Sequence, residues 1–263
     1  MSTWMTTLFS ALALFGLLTG LFFFVATRGT LVLRSLAPGS LSPKSHVYPL
    51  YSDMRLIKLV DYQPLISAIL LFHYHRLVSK VVEELGRMDL QGQNVMITSC
   101  AFGNVIPRVV KAAVAGGAER VLIADIIGNE LTHAGSKLAG FADKVELIED
   151  DATHLHQPAG GVAANVMFFL LHELPHPQKL EALSEAGRML APGGKLILAE
   201  FHRPSPWLLR AMSWTYFKVF EPLGLALWTS HDPLACLERM GGWHCERMTC
   251  CYGNFQVITA TRL

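Results

Sequence analysis

VMITSCAFGNVIPR, residues 95–108, reads as a buried strand, a tight turn and the start of a helix. An open α/β enzyme that binds a nucleotide carries a glycine-rich loop at such a junction. Only one glycine, Gly103, stands in this one. The stretch is either a cofactor loop that has lost glycines or an ordinary strand–helix connection.

The sequence on both sides sets the frame. NVMITS, RVLIADI, KVELIED, GVAANVMFFLL and GKLILAEF read as strands. PRVVKAAVAGG, ELTHAGSKLAGF and PQKLEALSEAGRML read as the helices between them. Strand and helix alternating at this spacing predict an α/β fold with a doubly wound, mainly parallel sheet. Ligands of such sheets bind at the carboxyl ends of the strands, near the point where strand order reverses. Those ends carry residues 100–104, Asp125, Asp151, His172 with Glu173, and residues 200–203. Asp125 follows the first loop by about 20 residues, the spacing of an acid that bonds ribose hydroxyls. Asp151, in the DDA of residues 150–152, falls where an adenine amino group can be held. A strand-end aspartate is also a common structural residue, but three such features are in register here.

Bulk properties bound the partners. The 263 residues are 51% hydrophobic, enough for one large domain with a full core. With 22 basic and 21 acidic side chains the net charge is +1, so nothing marks a nucleic-acid partner. Charged residues make up only 16%, below the roughly 25% of typical soluble domains. Part of the deficit lies in residues 7–27, which hold no charge. That length matches the roughly 20 residues that cross a bilayer. A cleaved signal peptide is the alternative, but such signals carry basic residues ahead of the apolar run. Here none precedes it, and Arg28, Arg34 and Lys44 follow it. The expectation is a single-pass membrane anchor over residues 1–34, with the remainder on the cytoplasmic side, as at a bacterial inner membrane. Residues 35–88 then form a Ser/Pro-rich linker and a helical segment, helical from Pro64 on, and residues 89–263 form the main domain. The five cysteines include no CxxC pair, which indicates neither a zinc site nor a disulfide framework. Cys100 reads as a small packing residue rather than a nucleophile.

From residue 95 to about residue 198 the sequence resembles a class I S-adenosylmethionine-dependent methyltransferase domain, near the ubiquinone/menaquinone methyltransferase group. The first motif of those enzymes reads much like V-L-D-I-G-C-G-T-G-N-V, against VMITSCAFGNV here. EAGRMLAPGGKLILAEF is similar to the helix, Pro-Gly-Gly turn and strand of that group. The resemblance implies S-adenosylmethionine as cofactor, held by Ser99, Ala101, Gly103, Asp125, Ile126, Asp151, Ala152 and Phe169. Ser99 and Ala101 replace two of the motif's glycines and are still small. Ile97 replaces its acid.

Three further runs resemble the RquA-type rhodoquinone-biosynthesis proteins. These are FFLLHELP (168–175), AEFHRP (199–204) and FEPLGLALW (220–228). That subgroup also lacks the motif acid and two of the glycines. The resemblance implies amination of ubiquinone with S-adenosylmethionine as amino donor, assisted by a divalent metal such as Mn2+. The N-terminal anchor and Phe102, where the subgroup has Tyr, depart from its pattern. Loss of the acid has a chemical reading, since a carboxylate beside an ammonium keeps it protonated and non-nucleophilic. Drift in a methyltransferase that needs no such contact is the alternative.

His172, Glu173, His202 and Arg203 are the residues expected to face the quinone head group. His172 and Glu173 are candidates for base and acid, or for metal ligands. The aromatic, apolar stretch at about residues 204–232 reads as a lid over a lipophilic substrate, or as a buried helix pair, with the region of Tyr74 and His75 as a second wall. A conventional methyltransferase on a lipophilic acceptor, and an inactive module that only binds, stay open as alternatives. Removal of residues 1–34 is expected to leave a folded chain that still binds cofactor. Circular dichroism and calorimetric titration check this; loss of either property would make the first helix part of the domain.

Overall fold

The computed structural model describes residues 3–27 and 54–263. The five expected strands are β1 (Asn94–Thr98), β2 (Arg120–Asp125), β3 (Val145–Glu149), β4 (Val162–Phe168) and β5 (Leu190–Phe201). Two more follow, β6 (Trp243–Cys250) and β7 (Phe255–Arg262). All seven join one mixed sheet in the order β3-β2-β1-β4-β5-β7-β6. β1 to β5 run parallel, β7 lies antiparallel to β5, and β6 antiparallel to β7. The doubly wound core is therefore extended at one edge by a hairpin that the sequence reading did not include.

Helices cover both faces. α1 (Thr3–Thr27), α2 (Met54–Val60), α3 (Gln63–Ile69) and α4 (Tyr74–Gly86) come before the sheet. α5 (Val105–Ala115), α6 (Gly128–Ser136) and α7 (His176–Met189) link its parallel strands, and α8 (Trp207–Phe220) and α9 (Pro233–Met240) precede the hairpin. Alternation along the strands feeds two core layers. Val95, Ile97, Val121 and Ile123 pack with Leu77, Val81, Ile106 and Val109 of α4 and α5. Met96, Leu122 and Ala124 face the other way, toward Leu183, Ala186 and Leu237 of α7 and α9. Ile97 thus sits in the first layer as an ordinary core residue, 3% exposed.

The N-terminal expectations meet the structure unevenly. The Ser/Pro-rich linker of residues 35–45 lies outside the described residues. No single helix among the described residues is long and apolar enough to cross a membrane; the apolar stretch of α1 is Trp4–Leu18. Residues 54–86 pack against the sheet domain, chiefly α4 on α5 and α2 on α6. The helix expected from Pro64 on is two helices meeting at 96°. Leu71 (φ 49°) and Phe72 (φ 61°) take left-handed backbone at the break. The turn is closed by the Phe72 amide donating to Ser67 O at 2.6 Å and by His73 Nδ1 donating to Leu71 O at 2.7 Å.

The glycine-poor junction after β1 is held from outside. The Gly103 amide donates to Asp61 Oδ1 at 2.6 Å. The same carboxylate accepts from Lys137 Nζ at 2.9 Å and from His133 Nε2 at 3.0 Å. The Tyr74 hydroxyl accepts from the Val105 amide at 2.9 Å and donates to Phe102 O at 3.3 Å. Gly103 adopts φ +85°, and a Cβ there would lie 2.3 Å from the Tyr74 hydroxyl oxygen. Gly103→Ala is therefore expected to lower stability by about 1–3 kcal/mol, from backbone strain plus the clash. Urea unfolding of both proteins measures it; an unchanged midpoint would mean that the Tyr74 contact is loose.

Candidate functional site

Strand order reverses between β1 and β4, so their loops part above the carboxyl ends and leave a cleft. A cavity occupies that place. Ser99, Ala101 and Phe102 line it from the loop after β1, Asp125 and Ile126 from the end of β2, and Asp151 and Ala152 from the loop after β3. Phe169, His172 and Glu173 reach it from β4. Apart from Gly103, the residues expected to hold a cofactor all meet here. Gly103 lies outside the lining, with its amide committed to Asp61.

The charge of the lining is one-sided. Six carboxylate residues face the cavity, Asp125, Glu130, Asp150, Asp151, Glu173 and Glu221, and no Lys or Arg does. Asp125 is the best anchored: Oδ2 accepts from the Cys100 amide at 2.6 Å and Oδ1 from the Ile127 amide at 2.8 Å. Burial raises its carboxyl pKa while these amides pull it down. Each oxygen keeps a second lone pair for a ligand hydroxyl. Asp151 Oδ1 accepts from the Thr153 amide and hydroxyl, both at 2.8 Å. Asp150, despite some desolvation, is held below the usual carboxylate range by His156, whose amide and Nδ1 each donate to it at 2.8 Å.

Glu130 was not picked out from the sequence. Its carboxyl is buried in the first turn of α6, and Oε1 finds no hydrogen-bond partner among the described residues. Burial first, then the charges of Asp125 and Glu173, push its pKa well above the carboxylate range. The thiol of Cys100 is likewise pushed up by burial and by Asp125, which agrees with a packing role.

The other wall is aromatic. Phe169 takes φ 57° at the end of β4 and stacks edge-on with Phe168 at 5.0 Å and Phe201 at 4.8 Å. Residues expected as a lid are two-sided. Phe217 of α8 is buried against Phe201 at 4.9 Å and Trp228 at 5.5 Å, while Tyr216 and Glu221 face the cavity. The 3-10 segment Pro222–Trp228 packs on His172, where a Cβ on Gly224 would sit 3.3 Å from the His172 Cβ. The stretch thus has one face buried in the aromatic core and contributes Tyr216 and Glu221 to the cavity wall.

His172 is buried, and its partner is Glu200 rather than the neighbouring Glu173. Nδ1 lies 3.1 Å from Glu200 Oε1, and the His172 amide donates to Oε2 at 3.2 Å. Nε2 is the nitrogen left over, 3.9 Å from Glu173 Oε1. Burial alone would push the imidazole down; the Glu200 charge and hydrogen bond outweigh it, with Glu173 and Glu221 adding, and the ring is raised to about 9. This favours the protonated ring at neutral pH, a proton donor. Glu200 had a signal in the sequence: it is the lone acid inside the apolar run LILAEF.

His202 and Arg203 do not join this group. β5 ends at Phe201, and the chain then turns onto the hairpin. His202 Nδ1 donates to Gly253 O at 2.7 Å and Nε2 accepts from Arg247 at 3.2 Å, while Arg203 is exposed. A resident metal also finds no cage. Among the described residues no three His, Cys, Asp or Glu side chains converge as its ligands. His172 with Glu173 offers two donors, and water or substrate oxygens would have to complete the shell of an octahedral ion such as Mn2+.

This sheet order, with its cleft, is the class I S-adenosylmethionine-dependent methyltransferase fold. Residues 95–194 match the family described as "Methyltransferase domain". A SAM-dependent methyltransferase from Aquifex aeolicus superposes over 80% of this chain and 99% of its own, with TM-score 0.57 at 20% identity. Among curated relatives, the ubiquinone/menaquinone biosynthesis C-methyltransferase of Pseudomonas fluorescens is 29% identical over 57% of each chain. The demethylmenaquinone methyltransferase of Clavibacter sepedonicus is 33% identical over 42% of this chain and 44% of its own. The chain thus spans 57% or less of the length of these two relatives and is homologous to quinone C-methyltransferases over that part.

A histidine raised above its unfolded value of 6.5 stabilises the fold fully below that value, and the contribution fades as pH rises through about 9. In Glu200→Gln the burial effect prevails and His172 is expected to titrate at or below the ordinary value. Imidazole NMR titration of the two proteins reads this directly; equal titration curves would separate His172 from Glu200.

Proposed function

We propose that this chain binds S-adenosylmethionine in the cavity and modifies a lipid-soluble quinone, giving rhodoquinone from ubiquinone: a ring methoxy group would leave as methanol and be replaced by an amino group whose nitrogen comes from the cofactor's amino-acid end, where the Cα–N bond breaks. The observation that carries the reading is one cavity without Lys or Arg, in which Asp125, Glu130, Asp150 and Asp151 gather at one end and His172, flanked by Glu173 and Glu221, stands among aromatic rings at the other. A sulfonium with an ammonium tail suits the first end and a flat, oxygen-bearing ring the second. Bound there, the cofactor supplies the transferable group.

The chain's own residues divide the work. Asp125 receives ribose hydroxyls on oxygens fixed by the Cys100 and Ile127 amides. Glu130, buried with an oxygen unpartnered, exchanges a proton as a cation arrives. His172 donates from Nε2 to a quinone oxygen, its charge balanced by Glu200. Phe169, Phe201 and Tyr216 exclude water around the ring. Ile97 stands where the first motif has its acid, but it is buried in the core outside the cavity lining, so it bears equally on amination and on a drifted methyltransferase. Methylation is the second reading, favoured by the homology to quinone C-methyltransferases. The Asp125 carboxylate, held by the Cys100 and Ile127 amides, supports cofactor binding, and cofactor binding that depends on Asp125 would count against an inactive module. Membrane attachment through α1, whose described side chains are mostly exposed and apolar, puts the site beside its acceptor.

Mass spectrometry of lipid extracts decides between the reactions, using ubiquinone-containing cells that express the chain or Asp125→Ala. An aminated quinone absent from the Asp125→Ala cells supports the proposal, and a methylated lipid makes the chain a methyltransferase. Neither product would remove quinone modification. Binding carries its own signature. A cation entering beside Glu130 expels a proton, so affinity rises with pH across the range where Glu130 titrates. Calorimetry in two buffers is expected to show this release, and Glu130→Gln to abolish it and to weaken binding roughly 10- to 200-fold, the loss of one charged hydrogen bond of about 1.5–3 kcal/mol.

A further inference from the structure

Three elements around the site display large apolar side chains to the outside, and two of them display theirs on strained turns. Phe72, at the break between α3 and α4, is 79% exposed. Tyr252, in the β6–β7 turn where Cys251 (φ 50°) and Tyr252 (φ 52°) are both left-handed, is 78% exposed. Trp207, the first residue of α8, is 77% exposed, and Leu208, Met212 and Trp214 follow it outward. Left-handed backbone at bulky residues costs energy and persists where something fixes it. Here it presents aromatic rings to solvent.

The three displays adjoin. The Ser205 amide, just before α8, donates to Tyr252 O at 2.9 Å. Ser213 Oγ donates to Asn254 Oδ1 at 2.8 Å, which ties α8 to the same turn. The His73 ring lies 6.3 Å from Phe255, next to it in the hairpin. Their inner faces carry Ile66, Leu70, Phe201 and Tyr216, which line the cavity.

Charge names the partner. The segments that bear the display are residues 62–82, 201–220 and 250–257. They hold Arg76, Arg203, Arg210 and Lys218 without an acid, while Lys80, further along α4, is paired with Glu84 at 2.6 Å. Arg76, Arg203 and Lys218 are exposed among the apolar tips. Aromatic tips accompanied by exposed basic side chains, with Lys218 over the Trp214 ring, fit the interface of an anionic bilayer, where rings settle at headgroup depth and cations meet lipid phosphate.

We infer that the catalytic domain itself docks on anionic membrane through Phe72, Tyr252 and the outer face of α8, as a second contact separate from α1. The purpose rests on the proposed lipid-soluble acceptor: docking turns the aromatic wall of the cavity toward the bilayer. The contact itself does not depend on the reaction.

The test is hydrogen–deuterium exchange on the full chain recovered by flotation with phosphatidylcholine vesicles, with or without phosphatidylglycerol. It is compared with a Phe72→Ser, Trp207→Ser, Tyr252→Ser variant. These side chains are exposed, so circular dichroism should match. Wild-type exchange is expected to slow several-fold around residues 71–73, 207–214 and 251–254, more on anionic than on neutral vesicles, and the variant to lose that protection. Equal exchange in the two proteins, protection confined to residues 3–27, or failure of the wild type to float would each overturn the inference. Protection of these segments that is equal on neutral vesicles would overturn the role of the basic side chains. Quinone products are read separately, so failure here leaves the cavity reading untouched.

Discussion

The loop after β1 is the constraint on which the site depends. Glycines normally let such a loop turn tightly under a ligand. Here Ser99 takes φ 84° without being glycine, and the turn is kept by other parts of the chain. Asp61 and Tyr74, 42 and 29 residues upstream of Gly103, grip the backbone of residues 102–105 from α2–α4, and Asp125 holds the Cys100 amide from β2. The helical segment ahead of the sheet is thus a structural part of the cofactor pocket. A loop fixed by hydrogen bonds needs less intrinsic freedom than one that relies on glycine.

Electrostatics organise the space the loop encloses. Acids gathered in a low-dielectric cleft raise one another's pKa values and favour an arriving cation. Glu130 bears most of that tension, buried and with one oxygen unmatched. At the far wall the same field works in reverse, and Glu200, Glu173 and Glu221 keep His172 protonated. One cavity therefore combines a cluster of acids with a histidine whose protonated form is favoured.

The same elements separate inside from outside. α8 sends Phe217 into the aromatic core and Tyr216 to the cavity, while Trp207 and Trp214 face out. The α3–α4 turn does likewise, with Tyr74 buried and Phe72 exposed. The elements that wall the pocket therefore also carry the exposed apolar side chains.

The sequence by itself determined the α/β order, the five parallel strands and the placement of Ser99, Ala101, Asp125, Asp151, Phe169, His172 and Glu173 at one edge. Those features follow from hydrophobic period and from residues at strand ends, which are local. The β6–β7 hairpin was not legible, because β6 mixes charges along an exposed edge and its turn uses Cys251 and Tyr252 where Asn-Gly or Asp-Gly would have marked it. Tertiary structure alone decided who pairs with whom. Glu200 reaches His172 across two strands, 28 residues apart, and Asp61 reaches Gly103 across 42. It also sent His202 to brace the hairpin instead of the site. Spacing along the chain reports which edge of a sheet a residue reaches. Which side chains meet there depends on how strands that are distant in sequence are brought side by side, and no local pattern encodes that.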